Sequence, residues 1–313
     1  MNRRTTTRLG KKRLSELSRL PTEQPNPAAR DLDRKSSLEI AKIINGQDAK
    51  VAVAVRRALP QIARAIDLIA AALKRDGRLI YVGTGTSGRL GALDAAECPP
   101  TFNVSPKTVQ YIIAGGPKAL GAAVEADEDS PRLGEREMRK KKPGRNDVVV
   151  GIAASGRTPF TIAALQYARR HGAKTVAVTC NRGSALGKAA DIEIVVDVGP
   201  EVIAGSSRMK AGSAQKMVLN MLSSGAMTRM GYVYGNLMVN VRLKNTKLAE
   251  RGSTILQRAA GVGRTAAEKA LHSAGNDVPV ALVMLEAGVG RAQATRALKA
   301  SRGHVREAIA RAR

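Results

Sequence analysis

Two serine-bearing turns with similar sequences are the first residues of this chain that could bind an anion. Residues 82–89 read VGTGTSGR and residues 150–157 read VGIAASGR, and five of the eight positions match. Each copy follows a short apolar run and precedes a segment with helical spacing, so each is expected to join a strand to a helix. Successive N–H groups at a helix N-terminus bind anions. Ser87 and Ser155 add hydroxyl donors, and Thr158 offers another in the following helical turn.

Two other interpretations of these turns are weighed against an anion site. Glycine-rich turns with plain serine caps would look alike, but two copies at neighbouring strand ends favour the anion site. The pattern GxGxxG at residues 83–88 also fits a dinucleotide-type fingerprint, which requires an acidic residue ending the next strand. That strand, Val109–Ala114, runs into two glycines instead, and neither turn matches the Walker pattern. We therefore predict that these turns bind a phosphate group and not NAD.

A third polar loop, GPEVIAGSSRMK at residues 199–210, precedes a long helix predicted over about Lys210–Met230. Ser206 and Ser207 are placed to cap this helix, while Arg208 and Lys210 bring positive charge. Helix capping alone would explain why Ser206 and Ser207 occur in this loop. The alternative is that the loop contacts the ligand.

Carboxylates are scarce near these turns, so Glu97 and Glu128 stand out as candidates for proton transfer. Glu97 lies in LDAAECPPTF, where two prolines predict the end of the helix that starts at Ser87. A negative charge at a helix C-terminus is unfavourable, which favours a protonated carboxyl there. Glu128 lies in AVEADEDS, a polar loop after the second strand.

Composition gives no sign of a metal centre, a redox cofactor or a secreted protein. The three histidines are scattered without metal spacing, and two cysteines, Cys98 and Cys180, cannot form a disulfide framework. The basic N-terminus lacks a following apolar segment, and no apolar run is long enough to span a membrane. We expect a cytoplasmic protein with no membrane association; a transit peptide at the basic N-terminus is the weaker alternative.

The formal net charge of +26 raises the alternative of a nucleic-acid-binding protein. The excess is concentrated in basic runs at residues 3–13, 136–145 and 291–313, and aromatic residues that would stack on bases make up only 2%. We therefore expect a solvated basic surface and no specific nucleic-acid partner, with nonspecific polyanion binding at low salt.

The elements that must position these residues are short strands alternating with helices. Strands are predicted over Leu79–Val82, Val109–Ala114, Asp147–Ile152, Thr175–Thr179 and Glu193–Val196, with helical patterns at Leu90–Ala96, Ala119–Val124 and Pro159–Arg170. This alternation predicts an α/β fold with a doubly wound, mostly parallel sheet, whose ligands bind at the carboxyl ends of the strands.

Changes of composition divide the chain into three parts. Residues 1–47 are expected to form an N-terminal arm with a short helix near Ser36–Asn45. Residues 48–252 are expected to form the sheet domain, which opens with a helical pattern over Asp48–Arg75 that Pro60 should cap or kink. Glycines punctuate short helical patterns over residues 253–313, which predicts a small helical bundle.

Four stretches of the sheet domain closely resemble the N-acetylmuramic acid 6-phosphate etherases of the sugar isomerase (SIS) superfamily. They are GTGTSGRLGALDAAECPPTF, AGGPKALGAAVEADEDS, NDVVVGIAASGRTPF and VGPEVIAGSSRMKAGSAQKMVLNML. The similarity runs over about residues 20–252, and the C-terminal bundle resembles the family's small ubiquitin-associated-like module. The chain departs from the family pattern at Asp127, where a small residue is more usual.

The resemblance implies cleavage of the lactyl ether of N-acetylmuramic acid 6-phosphate by elimination and hydration, giving N-acetylglucosamine 6-phosphate and D-lactate. By this resemblance Glu97 corresponds to the family's catalytic acid, and Glu128 corresponds to its second catalytic glutamate. We assign the role of base to Glu128. The resemblance implies a homodimer with the site near the subunit interface, and no cofactor. The phosphate would be held by Ser87, Ser155, Gly156 and Thr158. The expected substrate-binding set is completed by Thr86, Arg157, Ser206, Ser207 and Lys210.

A non-catalytic sugar-phosphate sensor, like the related glucokinase regulatory protein, would need only the serine turns. The presence of both Glu97 and Glu128, and a length that holds one SIS domain rather than two, favour the enzyme.

Overall fold

The carboxyl ends of a five-stranded sheet carry both serine turns. The structure, a computed structural model, describes residues 20–124, 127–241, 243 and 246–313. They fall into two units, the first holding the described residues up to Asp94 with Gln110–Leu222, the second holding Ala95–Val109 with Ser223–Arg313. The basic run at residues 3–13 and Glu125 lie outside the described residues.

The sheet of the first unit runs in the order β2-β1-β3-β4-β5. Its strands are β1 Leu79–Gly83, β2 Val109–Ile113, β3 Val148–Ile152, β4 Lys174–Thr179 and β5 Ile192–Val195. The β1–β3, β3–β4 and β4–β5 pairs are parallel. The five predicted strands and the doubly wound parallel architecture are confirmed, because short β-branched runs between turn residues predict buried strands well.

Helices cover both faces of this sheet. They are α1 Ser37–Arg57, α2 Leu59–Leu73, α3 Gly85–Phe102, α4 Pro131–Lys141, α5 Pro159–Arg170, α6 Ala185–Lys188 and α7 Lys210–Arg229. Successive strand residues face opposite sides of a sheet. Ile80 and Val82 accordingly share a core cluster with Phe160 of α5. Tyr81 lies between them, and its hydroxyl donates to Asp94 of α3 at 2.7 Å.

Several predicted helix limits are corrected by the structure. The break expected between Asn45 and Asp48 is absent, because α1 continues to Arg57 with Gly46 inside it. The break expected at Pro60 is confirmed, since Pro60 lies in the first turn of α2. The cap at Ser36 is confirmed as a capping box with Glu39. The helix predicted over Ala119–Val124 is wrong: a 3-10 turn over Gly116–Leu120 takes its place.

The basic run at residues 136–145 begins inside α4, which was not predicted. Ion pairs along this exposed helix join Arg139 to Glu135 at 3.0 Å and Lys140 to Glu137 at 2.8 Å. Arg170 of α5 also contacts Glu135, at 3.3 Å. Part of the basic excess is therefore paired on a solvated helix face.

The second unit contains its own hydrophobic core. Its helices include α8 Thr246–Ala260, α9 Arg264–Ser273, α10 Val278–Ala287, α11 Arg291–Ala300 and α12 Val305–Ala312. Val239 and Val241 share this core with Leu256 and Leu282, and the predicted boundary after residue 252 falls inside α8. We therefore propose that the C-terminal module begins before residue 239. Among the described helices, none is long and apolar enough to cross a membrane.

An ion pair anchors the start of β1 to the start of β3. Asp147 accepts hydrogen bonds from Arg78 Nε at 3.0 Å, from Arg78 Nη2 at 2.6 Å and from the N–H of Gly144 at 2.9 Å. Burial by itself would raise the pKa of Asp147, but these hydrogen bonds outweigh it and hold the pKa below its ordinary value. A carboxyl group with a lowered pKa stabilises the fold above its unfolded pKa.

Asp147→Asn is expected to lower the free energy of unfolding of the first unit by about 2 kcal/mol at about pH 7. The difference in free energy of unfolding between this variant and the unaltered protein should shrink as the pH falls through the folded pKa of Asp147. Protonation of Asp147 then weakens its ion pair with Arg78 in the unaltered protein. Urea unfolding at about pH 7 and about pH 2.5 measures both values. An equal loss at both pH values would show that the charge of Asp147 contributes nothing.

Candidate active site

The first serine turn leaves the end of β1 so tightly that glycine is required. A β-carbon on Gly83 would lie 2.9 Å from the backbone nitrogen of Gly88, and one on Gly88 would lie 2.8 Å from the carbonyl oxygen of Gly83. Gly85 has φ +48° and begins α3. The free N–H groups of the first turn of α3 therefore lie at the carboxyl edge of the sheet.

The second serine turn leaves the end of β3 and is held by the loop after β4. Gly156 has φ +67°, and a β-carbon there would overlap the side chain of Ser184. The carbonyl of Gly156 accepts from the N–H of Leu186 at 2.9 Å. Ser155 Oγ accepts from the N–H of Arg157 at 3.3 Å, which leaves the serine proton to be donated.

The two turns lie side by side. In the β1–β3 register Gly83 is opposite Ile152, so the chain leaves both strands at the same level. The prediction that the two copies follow neighbouring strands is confirmed. Their assignment to a phosphate group stays a prediction.

Glu128 lies against the first turn and is anchored to the helix that follows the second. Its Oε1 is 3.2 Å from the position of a β-carbon on Gly85. Its carbonyl oxygen accepts from the N–H of Phe160, in the first turn of α5, at 3.1 Å. A half-buried carboxylate is thereby positioned beside the turn that carries Ser87.

The first turn of α7, which follows the third loop, lies close to Thr86 of the first serine turn. Thr86 Cγ2 lies 3.5 Å from the β-carbon position of Gly212 on α7. Thr86, Arg208 and Lys216 line a cavity of about 330 Å³. Ser206 and Ser207, both half-buried, precede this surface in the chain.

Capping of α7 differs from the prediction. The carboxylate of Glu201, fully buried, accepts from the N–H groups of Lys210 and Ala211, each at 2.9 Å. Glu201 rather than Ser206 or Ser207 therefore provides these cap hydrogen bonds, an i+9 contact that no local capping pattern reveals.

Lys210 faces the interior of the first unit. It is 2% exposed, and its ammonium donates to the carbonyl of Val198 at 2.8 Å and to Gln47 Oε1 at 3.2 Å. Burial lowers the pKa of Lys210 below its ordinary value. These contacts fit a role in holding the third loop, not the direct substrate contact expected of Lys210.

Gln215 is a polar residue that the sequence analysis missed. It is 1% exposed on α7, and Ser87 Oγ donates to its Oε1 at 2.9 Å. Its helical neighbours Ala211, Ala214 and Val218 are all fully buried. A glutamine on the apolar face of a helix was the available signal, since buried polar side chains need a partner.

A cationic cleft of about 810 Å³ adjoins the second turn. Ser155 and Arg157 line it from the turn, Arg182 and Lys188 from the segment after β4, and Asp129 from the loop of Glu128. Asn181, 3% exposed, also lines the cleft, which thus offers positive charge next to Ser155.

Glu97 lies in the middle of its helix and not at its end. The helix α3 continues through Pro99 and Pro100 to Phe102, and Thr101 Oγ1 donates to the carbonyl of Glu97 at 2.7 Å. The prediction that Glu97 lies at an unfavourable helix C-terminus is therefore wrong. Glu97 lies before the last turn of α3, and the helix dipole acts only within that turn. Glu97 is exposed, on a helix face that it shares with Ala96 and Pro100.

The two cysteines are buried, free thiols. Burial, with the carboxylates of Glu201 and Asp197, raises the pKa of Cys180 to about 12, so it stays a thiol at neutral pH. Within the part of the chain that the structure describes, no group of three or more His, Cys, Asp or Glu side chains could hold a metal ion.

Comparisons with known proteins match most of this sequence. Residues 61–169 match the glucokinase regulatory protein N-terminal SIS domain, and residues 135–224 match the SIS domain. The chain is 50% identical over 290 residues to the N-acetylmuramic acid 6-phosphate etherase of Aeromonas hydrophila, covering 93% of this chain and 97% of that protein. It is 48% identical over 296 residues to etherase 1 of Bacillus licheniformis, covering 95% and 97%.

Proposed function

The chain belongs to the family of N-acetylmuramic acid 6-phosphate etherases, and from this premise we propose which of its residues carry out the reaction. The enzyme cleaves the D-lactyl ether of N-acetylmuramic acid 6-phosphate, giving N-acetylglucosamine 6-phosphate and D-lactate. This reaction belongs to the breakdown of cell-wall amino sugars.

The phosphate is bound where the two serine turns lie side by side. The hydroxyls of Ser87, Ser155 and Thr158 donate to it, together with N–H groups around Gly156 and at the start of α3. The arrangement of Gly83 opposite Ile152 supports one shared phosphate rather than two separate sites. Thr86, Arg157, Ser206 and Ser207 line the surroundings of the sugar, and Lys210 holds their loop from inside.

Glu128 is the base. In the open-chain sugar the aldehyde acidifies the proton on carbon 2, and a carboxylate removes it. The bond between carbon 3 and the lactyl oxygen then breaks, leaving a double bond to which water adds at carbon 3. The observation that carries this role is the carboxylate of Glu128 lying against Gly85, beside the proposed phosphate site.

Glu97 is the acid that protonates the departing lactate oxygen. It is exposed in a single chain, on a face with Leu93, which is 53% exposed, Ala96 and Pro100. We propose a homodimer whose partner subunit covers this partly apolar face and encloses Glu97.

The remaining expectations follow from the same chemistry. Proton transfer and elimination at a carbon next to an aldehyde need only an acid and a base, so we propose a cofactor-independent enzyme. Its two free cysteine thiols fit a reducing compartment, and we propose the cytoplasm. Pairing of the basic residues on α4 supports a solvated surface and no specific nucleic-acid partner.

Ser155→Ala is expected to raise KM for N-acetylmuramic acid 6-phosphate by about 10- to 100-fold, because a hydrogen bond to a charged group contributes about 1.5–3 kcal/mol. The assay is D-lactate release by the full chain. Ser224→Ala, at an exposed serine of α7, is the matched control and should leave KM unchanged. An unaltered KM in Ser155→Ala would remove Ser155 from the phosphate site.

The unaltered protein tests the function itself. Release of D-lactate is expected. Binding of N-acetylglucosamine 6-phosphate without any lactate release would instead support a sensor, the alternative that the match to the glucokinase regulatory protein SIS domain keeps open.

A further inference from the structure

The hydroxyl proton of Ser87 is already used in a hydrogen bond to a buried side chain. Ser87 Oγ donates to Oε1 of the buried Gln215 at 2.9 Å. A serine hydroxyl has one proton, so in this arrangement Ser87 can accept a hydrogen bond but cannot donate one to a phosphate oxygen. Ser155, its counterpart in the second turn, accepts from the N–H of Arg157 and keeps its proton for a ligand.

The other half of the Gln215 amide explains how Ser87 can be released. Gln215 Nε2 is buried, and no acceptor among the described residues bonds to it. A buried amide donor without a partner costs about 1–3 kcal/mol. A half-turn of the amide exchanges its two ends and brings Nε2 to the side of Ser87 Oγ.

In this second orientation of the Gln215 amide, Ser87 can donate a hydrogen bond to a phosphate oxygen. Nε2 donates to Ser87 Oγ, so the buried donor is paired, and the serine proton is free to point at an anionic oxygen. The unpaired group becomes the carbonyl oxygen Oε1, which buried sites tolerate better than an unpaired N–H.

We propose that Gln215 is a positioning residue for phosphate binding, which accepts from Ser87 in the empty site and donates to it when phosphate is bound. This inference rests on the proposed role of Ser87 in holding the phosphate. Gln215 touches no reacting atom, so its effect should appear in KM and not in kcat.

Two substitutions test this role in the full chain. Gln215→Met keeps the length of the side chain but removes the donor, and is expected to raise KM for N-acetylmuramic acid 6-phosphate about 10-fold with kcat changed less than about threefold. Gln215→Glu presents a carboxylate that holds the Ser87 proton and repels the phosphate, so KM should rise further, by about 100-fold. Calorimetric binding of N-acetylglucosamine 6-phosphate should weaken in parallel.

A double-mutant cycle with Ser87→Ala separates positioning through Ser87 from a general structural effect. Once Ser87 is alanine, Gln215→Met should raise KM no further. The matched control is Gln257→Met, because Gln257 Nε2 donates to Ser253 Oγ at 3.4 Å in the second unit, and its KM should stay unchanged. Thermal unfolding shows whether each variant is folded. If Gln215→Met does not fold, Gln215→Glu is used alone to test the role of Gln215.

The outcomes distinguish this inference from the proposed function. An unchanged KM in Ser87→Ala would refute the phosphate site and the inference together. A raised KM in Ser87→Ala with no effect of Gln215→Met, or with effects that multiply in the double variant, would overturn only the role of Gln215. A fall in kcat as large as the rise in KM would mark Gln215 as structural.

Discussion

Glu128→Gln is expected to lose both D-lactate release and exchange of the carbon 2 proton of N-acetylglucosamine 6-phosphate with deuterated water. The amide keeps the shape of the side chain beside Gly85 but cannot take a proton. General acid–base groups contribute about 10²–10⁴-fold, so kcat should fall by about that factor once the proposed base is removed. Lactate is measured by enzymatic assay, and exchange by the loss of the carbon 2 proton signal in NMR.

The matched control is Glu135→Gln, a half-buried glutamate of the neighbouring helix α4 whose partners are Arg139 and Arg170. It should leave both activities unchanged. Binding of N-acetylglucosamine 6-phosphate should survive in Glu128→Gln, because the serine turns are intact. Retained proton exchange in this variant would exclude Glu128 as the base.

Glu97→Gln is expected to release no D-lactate while still exchanging the carbon 2 proton of the product. Proton removal at carbon 2 needs only the base, whereas breaking the carbon 3–oxygen bond needs a proton for the departing lactate. A fall in lactate release of about 10²–10⁴-fold is the effect expected for a lost general acid. The two readouts therefore separate the roles of the two glutamates.

Glu268→Gln, at an exposed glutamate paired with Arg264 at 2.7 Å, is the control for this variant. If exchange vanishes in Glu97→Gln and survives in Glu128→Gln, the assignment of acid and base must be reversed. Chain association, measured by analytical ultracentrifugation, tests the proposed homodimer independently of either substitution.

Local patterns predicted the sheet and its serine turns because the forces that form them act over a few residues. Apolar runs bounded by Gly and Asn form strands, and the repeated Val-Gly and Ser-Gly-Arg positions mark where each strand meets a helix. Ser36 and Glu39 form a capping box that can be read from their spacing alone. Helix α5 was predicted with its observed limits, Pro159–Arg170, because proline sets its start.

Elements with little apolar surface could not be predicted in the same way. The buried residues of α4 are only Gly134 and Met138. At Gly134 the helix approaches the carbonyl of Phe160 so closely that any β-carbon would overlap it. Only Leu133 and Met138 are large apolar residues in this helix, so no stripe of large side chains marks it, and its position depends on close backbone contact. The continuation of α3 through two prolines likewise runs against local preference.

The sequence by itself determined that this chain has two serine turns, each at the end of a strand, and a small set of carboxylates near them along the chain, together with the family to which these motifs belong. Only the tertiary structure decided that Glu128 lies against Gly85, that Glu201 caps α7, and that Ser87 bonds to Gln215. Ser87 and Gln215 are 128 positions apart along the chain. The order of strands and the packing of helices on them bring such residues together, and no pattern of neighbouring residues records that contact.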